Sequence, residues 1–154
     1  MPIQLDDTDK RILRALQRDG RLQNVELARE VGLSPSPCLR RVKLLEEAGV
    51  IDRYVAVVDQ SKIGLGLSLF ARVSLTAQDA ETIDRFIAAM KRLPQVMECY
   101  IILGECDALL RVVVADLEEY RRFQSTHLTR KNGIQNVKTD LPSQTVKRTY
   151  ALPL

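Results

Sequence analysis

Tryptophan is absent from this 154-residue chain, aromatic residues make up 5% of it, and histidine occurs once, at position 127. Any core built from it must be aliphatic. Cysteine occurs three times, an odd number that excludes a fully paired disulfide framework; with no signal peptide, a reducing cytoplasm is expected. No apolar run approaches the ~20 residues that a membrane-spanning helix needs, so no membrane partner is expected. There is no glycine-rich phosphate loop and no metal-ligand spacing, and no Ser or Cys nucleophile is paired with His127 by any motif. Enzymatic activity, a cofactor and a metal are therefore not expected. Low-complexity segments and tandem repeats are missing too. Nor is the chain a polycation: the net charge is +3, with residues 1–53 carrying +1 and the remainder +2. Affinity for nucleic acid must come from local placement of charge and from multiplying subunits.

What is present is concentrated in residues 24–49, NVELAREVGLSPSPCLRRVKLLEEAG. Asn24 can cap a first helix, Leu27, Ala28 and Val31 recur at helical spacing, and Gly32 suits the left-handed stop. A residue before proline avoids the helical region, so the second helix is predicted to open at Pro37 with Ser36 as its cap, and Gly49 ends it. On that helix Cys38, Leu39, Val42 and Leu45 share one side. Ser36, Arg40, Lys43 and Glu47 share the other, with Arg41 at the margin. From Ser34 to Leu45 there are three cations and no acid. The small Ala28 and the turn glycine Gly32, four residues apart between apolar positions, complete a helix-turn-helix signature with a turn one residue longer than its shortest form. A helix of this kind fits a major groove, and Ser34, Ser36, Arg40, Arg41 and Lys43 are the candidate DNA contacts; the helix N-terminus adds donors.

Upstream, residues 5–20 (LDDTDKRILRALQRDG) form a helix capped by Asp6, with Asp7 and Asp9 at the positive end of its dipole, an apolar stripe of Ile12, Leu13 and Leu16, and a stop at Gly20. The three helices make a bundle of about fifty residues, near the lower limit for folding alone. Residues 50–59 (VIDRYVAVVD) are β-branched and aromatic and predict a strand, either a wing or a pairing strand toward another subunit. Residues 61–68 (SKIGLGLS) carry two glycines and suggest a hinge.

Beyond it the period changes. Leu67, Leu69, Ala71, Val73 and Leu75 alternate with Ser68, Arg72 and Ser74, the pattern of a half-buried strand. Residues 79–93 predict a helix with Ile83, Phe86, Ile87 and Met90 on one face, stopped by Pro94. Residues 95–103 and 107–115 are two strands around the turn Leu103-Gly104-Glu105-Cys106. Asp116 and Glu119 start a helix carrying Leu117, Tyr120, Phe123 and Leu128. Asn132-Gly133 is a turn, and residues 134–141 and 145–151 are final strands. The fold class is therefore α+β: a helix-turn-helix head, then a ferredoxin-like β-α-β-β-α-β domain with an antiparallel sheet and helices on one face. The runs at Ile101, Ile102 and 112–114 imply burial of the other face as well, most simply by a second subunit. A turn centred on Gly104 and Glu105 sets Cys99 opposite Leu110 rather than Cys106, so a thiol switch needs a different register. Cys38 reads as core.

The stretches LDDTDKRILRALQRDGR, LAREVGLSPSPCLRRVKLLEEAGVI, GECDALLRV and ADLEEYRRF together resemble the Lrp/AsnC family of feast/famine transcriptional regulators, over essentially the whole chain. The resemblance implies a helix-turn-helix domain over residues 1–50, a linker strand and hinge over 51–66, and an oligomerisation and effector domain over 67–154. It also implies homodimers that assemble further into octamers, and an amino acid or related metabolite bound between subunits near the turn after the second strand. Carried onto this chain, that site comprises Leu103, Gly104, Glu105, Cys106 and Asp107. Gly104 would let backbone amides approach a carboxylate and Asp107 would pair with an ammonium group; the alternative is that both simply make the hairpin turn. The chain has Ala108 where many members carry Tyr, and Cys106 where an aromatic is frequent. The function expected is sequence-specific DNA-binding regulation. Its rivals are a nonspecific architectural protein that wraps DNA and an amino-acid-sensing subunit of an enzyme.

Overall fold

A computed structural model describes residues 4–154. It divides into two compact units, one of residues up to 57 together with 147–154, the other of residues 58–146.

The first unit holds three helices, α1 (Asp7–Arg18), α2 (Asn24–Val31) and α3 (Pro35–Glu47). Their apolar stripes meet in a core of Ile12, Leu13, Ala15, Leu27, Ala28, Val31, Cys38, Val42 and Leu45. At about 1.5–3 kcal/mol for each large aliphatic side chain removed from water, this burial is what holds the bundle. Gly32 ends α2 in the left-handed region at φ 76°, and Leu33 donates to the Ala28 carbonyl at 2.8 Å.

Four local expectations are corrected here. Asn24 is inside α2, and its carboxamide reaches forward instead, Nδ2 donating to the Pro35 carbonyl at 2.8 Å. Helix α3 begins at Pro35 with Ser34 as N-cap, because the Cys38 amide donates to the Ser34 carbonyl and closes the first turn there. Pro37 can sit in that turn since its missing N–H would have had no helical acceptor. Leu39 lies off the apolar face, 44% exposed. And α1 ends at Arg18 with Asp19, not Gly20, as its cap.

The second unit is a four-stranded sheet of order β2-β3-β1-β4, with β1 (Leu67–Leu75), β2 (Val96–Ile101), β3 (Ala108–Val114) and β4 (Ile134–Asp140), every neighbouring pair antiparallel. Helices α4 (Ala80–Lys91) and α5 (Leu117–His127) complete the β-α-β-β-α-β order. Alternation works as read: Leu69, Ala71, Val73, Leu75, Leu110, Val112 and Val114 join Phe86, Met90, Tyr120 and Phe123 in one core. Asp79 caps α4 by accepting from the Thr82 amide at 2.8 Å, and Asp116 caps α5 by accepting from the Glu119 amide at 2.8 Å. The opposite sheet face carries Phe70, Leu109, Val113 and the cross-strand ion pairs Arg72–Asp140 (2.7 Å) and Arg111–Glu98 (3.0 Å). Leu117, placed on the inner stripe of α5 by its spacing, is exposed, as is Ile101 at the end of the edge strand β2.

Two predicted strands do not form. Residues 50–59 and 145–151 have no ladder among the described residues. β-Branched composition favours extended backbone, but a strand needs a neighbour to pair with. Residues 147–154 lie instead against α1: Gln17 exchanges hydrogen bonds with the Leu152 amide and carbonyl (2.6 and 3.2 Å), and Arg14 donates to the Leu154 oxygen at 2.6 Å. The expected hinge is partly ordered as a short 3-10 turn, Gln60–Ile63, capped by Asp59.

Two glycines separate strain from crowding. Gly32 sits in open space, so Gly32→Ala should cost only the left-handed backbone strain, about 1–2 kcal/mol. At Gly133 (φ 82°) an added Cβ would also lie 3.1 Å from Thr82 Cγ2 and 3.3 Å from the Thr82 carbonyl oxygen, so Gly133→Ala should cost more. Urea unfolding read by segment-resolved hydrogen exchange checks the order of the two.

Candidate nucleic-acid interface and effector turn

Helix α3 is gripped on one side and open on the other. Cys38, Val42 and Leu45 are buried beneath it, and burial pushes the Cys38 thiol up, as suits a core residue. Three polar ties add direction. Asn24 holds the first turn through the Pro35 carbonyl. In the middle, Arg41 Nη1 lies 2.7 Å from Asp6 Oδ2 and 2.8 Å from Asp9 Oδ1 at the start of α1. At the far end the Tyr54 hydroxyl donates to Glu46 at 2.8 Å. Desolvation, helped by Glu46, raises the Tyr54 hydroxyl to about 12, so it stays a donor throughout the physiological range.

The outward side carries Ser36, Arg40 and Lys43, all exposed, with Ser34 exposed at the cap and Glu47 at the C-terminal end. No acid interrupts this edge between Ser34 and Leu45. Arg41 departs from the expectation for it: its side chain is 31% exposed and occupied by two carboxylates, because it points along the flank toward α1. The helix N-terminus is also poorer in donors than expected. Pro35 and Pro37 have no N–H and the Cys38 amide is spent on Ser34, which leaves the Ser36 amide in that turn. Spacing along α3 alone could not reveal the roles of Asp6, Asp9 and Tyr54. The signal for the aspartates was their separation of three at a helix start, which reads as capping and not as an ion-pair site.

In the sheet unit the candidate effector residues cluster on the β2–β3 turn. Leu103, Gly104 and Glu105 are exposed, while Cys106 and Asp107 are half-buried. Asp107 is a structural node. Its Oδ2 accepts from the Leu75 amide at 2.7 Å and its Oδ1 from Gln78 Nε2 at 2.8 Å, while its own amide donates to the Val73 carbonyl at 2.9 Å. The turn is thereby fastened to the end of β1. Cys99 pairs with Leu110 across β2 and β3, the register expected from a turn at Gly104 and Glu105, and all three cysteines are free. His127 packs its ring 5.3 Å from that of Phe123, and no group of metal-ligating side chains occurs among the described residues.

A helical bundle with one basic helix exposed, followed by a ferredoxin-like sheet, defines a DNA-binding regulator with a ligand-binding domain. The comparisons agree. Residues 5–52 match the model for winged helix-turn-helix DNA-binding domains, and residues 68–152 match that of the Lrp/AsnC ligand-binding domain. The chain belongs to the Lrp/AsnC family of transcriptional regulators, and is a regulator rather than an enzyme. It is 41% identical over 154 residues to the transcriptional regulator AzlB of Bacillus subtilis, covering 100% of this chain and 98% of that one. Identity to the leucine-responsive regulatory protein of Escherichia coli K12 is 36% over 148 residues, 96% of this chain and 90% of that protein. Among solved structures, a transcriptional regulator of Neisseria meningitidis in complex with L-Met superposes with TM-score 0.93 at 39% identity, covering 97% of each chain. No helix among the described residues is long and apolar enough to cross a membrane.

The ion pair at α1 has a pH signature. The Asp9 amide first, and Arg41 second, hold the Asp6 carboxyl below its ordinary value. A carboxyl depressed in the folded state binds fewer protons there than in the unfolded chain. Its contribution is complete above the unfolded value, about 4, and fades as pH falls through the folded one. The thermal midpoint of the helical unit should therefore drop as pH is lowered below about 4, and Asp6→Asn should flatten that part of the profile, as circular dichroism melts at a series of pH values would register.

Proposed function

We propose that the chain is a sequence-specific regulator whose α3 helices, paired by subunit association, enter successive major grooves with half-sites about 34–36 Å apart. The observation that carries this is the exposed, acid-free edge of Ser34, Ser36, Arg40 and Lys43 on a helix whose opposite face is fully engaged in the core. Arg40 and Lys43 have the reach for guanine edges or phosphates; Ser34 and Ser36 suit phosphate oxygens. Arg41 serves the fold. Homodimers, and octamers built from them, are the working assembly. Support comes from the β-branched residues 52–58, which leave Val55, Val57 and Val58 exposed, and from the outer sheet face, where Phe70 and Leu109 are half-buried. The protein works in the cytoplasm, in keeping with its free thiols.

The effector is an amino acid held between subunits at the turn of Leu103, Gly104, Glu105, Cys106 and Asp107. Support comes from the family's ligand-binding domain, from the L-Met complex of the Neisseria regulator, and from a turn with exposed backbone at Gly104 beside a carboxylate. An ammonium group would take Oδ1 of Asp107 from Gln78 while Oδ2 keeps the Leu75 amide. Binding would favour one assembly over another and so change the spacing of the DNA heads.

Arg40→Ala should weaken binding to a selected DNA site by about 1–3 kcal/mol while leaving the melting curve and oligomeric state unchanged. Footprints and a salt slope identical to wild type would remove α3 from the interface. A specificity ratio near one against random duplex would favour architectural wrapping. Calorimetric titration with single L-amino acids should give a saturable heat for the wild type and none for Asp107→Ala; equal heats would take Asp107 out of the site.

A further inference from the structure

The capping box of α1 and the ion pair on α3 divide the four carboxylate oxygens of Asp6 and Asp9 between them. Asp6 Oδ1 accepts from the Asp9 amide at 2.7 Å, and Asp9 Oδ2 accepts from the Asp6 amide at 3.2 Å. The two remaining oxygens, Asp6 Oδ2 and Asp9 Oδ1, both face Arg41 Nη1 at 2.7 and 2.8 Å. Each carboxylate is thus locked by backbone on one side and holds the guanidinium with the other. The two aspartates are 52% and 17% exposed, so one is bathed in water and the other largely sealed.

Such a network adds little to global stability, because ion pairs near the surface are screened and lose side-chain freedom on forming. Direction is what it can add. The contacts under α3 are those of Cys38, Val42 and Leu45, apolar and without orientational preference, so its angle is set by the polar ties of Asn24, Arg41 and Tyr54. A guanidinium nitrogen shared by two anchored carboxylates resists rolling of the helix. Arg41 directly follows Arg40 in the chain, so rotation of α3 about its axis moves the outward edge in step with it.

We propose that Asp6, Asp9 and Arg41 are positioning residues that set the rotation at which α3 presents Ser36, Arg40 and Lys43 to DNA. The two aspartates then raise DNA affinity although they are anions. The inference rests on the DNA-binding reading of α3, and it makes a claim opposite in sign to simple electrostatics. Replacing two acids near a DNA-facing helix with neutral amides removes repulsion from phosphate, which by itself strengthens binding.

The test uses the full chain and fluorescence anisotropy. A duplex selected by the wild type from a random pool is compared with unselected duplex of equal length, across a salt series. Asp6→Asn/Asp9→Asn should weaken binding to the selected duplex by about tenfold, the scale of one lost base contact, and leave unselected duplex within about twofold. Arg41→Ala should behave the same way with an unchanged salt slope, Arg41→Lys should recover part of the loss, and the triple variant should be no worse than Arg41→Ala, as expected of residues acting through one network. A gain in affinity for the double Asn variant overturns the proposal. So does a salt slope reduced by about one in Arg41→Ala, which would mark a phosphate contact. Strictly additive losses overturn it too. Should the double variant lose helical content by circular dichroism, Asp6→Asn alone carries the test, since Asn is itself a good helix cap. A wild type that selects no duplex defeats the DNA-binding reading and this inference with it; a wild type that selects while the variants bind as well or better defeats this inference alone.

Discussion

A helix that leaves its cations in solvent has to be held from behind. That constraint organises the first unit. Cys38, Val42 and Leu45 supply the attraction, pressed against Leu27, Ala28, Val31, Ile12 and Leu13, and the small Ala28 lets α2 and α3 approach closely beside the turn at Gly32. Apolar contact is strong but indifferent to angle. Asn24, Arg41 and Tyr54 add direction, each fastening a different part of α3 with a hydrogen bond of 2.7–2.8 Å.

Within the second unit the equivalent constraint is a sheet with helices on one face. Strand alternation places Leu69, Ala71, Val73, Leu110, Val112 and Val114 inward, and the register Cys99 to Leu110 follows from the length of the β2–β3 turn. Asp107 then ties that turn to the end of β1, its carboxylate accepting from the Leu75 amide and its own amide donating to the Val73 carbonyl, while its other carboxylate oxygen accepts from Gln78. Both oxygens of that carboxylate are thus engaged, the second by a side chain in the loop leading into α4.

Charge is used in two ways on one helix. Arg40 and Lys43 project into solvent, where their attraction to phosphate is long-ranged and depends on salt. Arg41, their neighbour in sequence, meets two carboxylates at hydrogen-bond distance. With only +1 on residues 1–53, affinity cannot rest on bulk charge.

Periodicity was enough to locate the helices and the strands of the sheet, because burial on one face imposes a period of 3.6 or 2 on any chain that folds this way. It also separated the outward edge of Ser36, Arg40 and Lys43 from the apolar face. Helix ends were less legible: the first turn of α3 was settled by a Cys38-to-Ser34 hydrogen bond that competes with the bias against helical backbone before Pro37. Strand propensity at residues 50–59 and 145–151 gives no ladder within the chain, since a ladder is made by a partner and not by composition. Contacts between residues far apart in sequence could not be read at all. That Arg41 belongs to Asp6 and Asp9, that Asn24 reaches Pro35, and that Asp107 holds Leu75 are consequences of where packed elements bring side chains together. Only the tertiary structure decides such meetings, because local pattern specifies which face of an element is buried but not which neighbour lies against it.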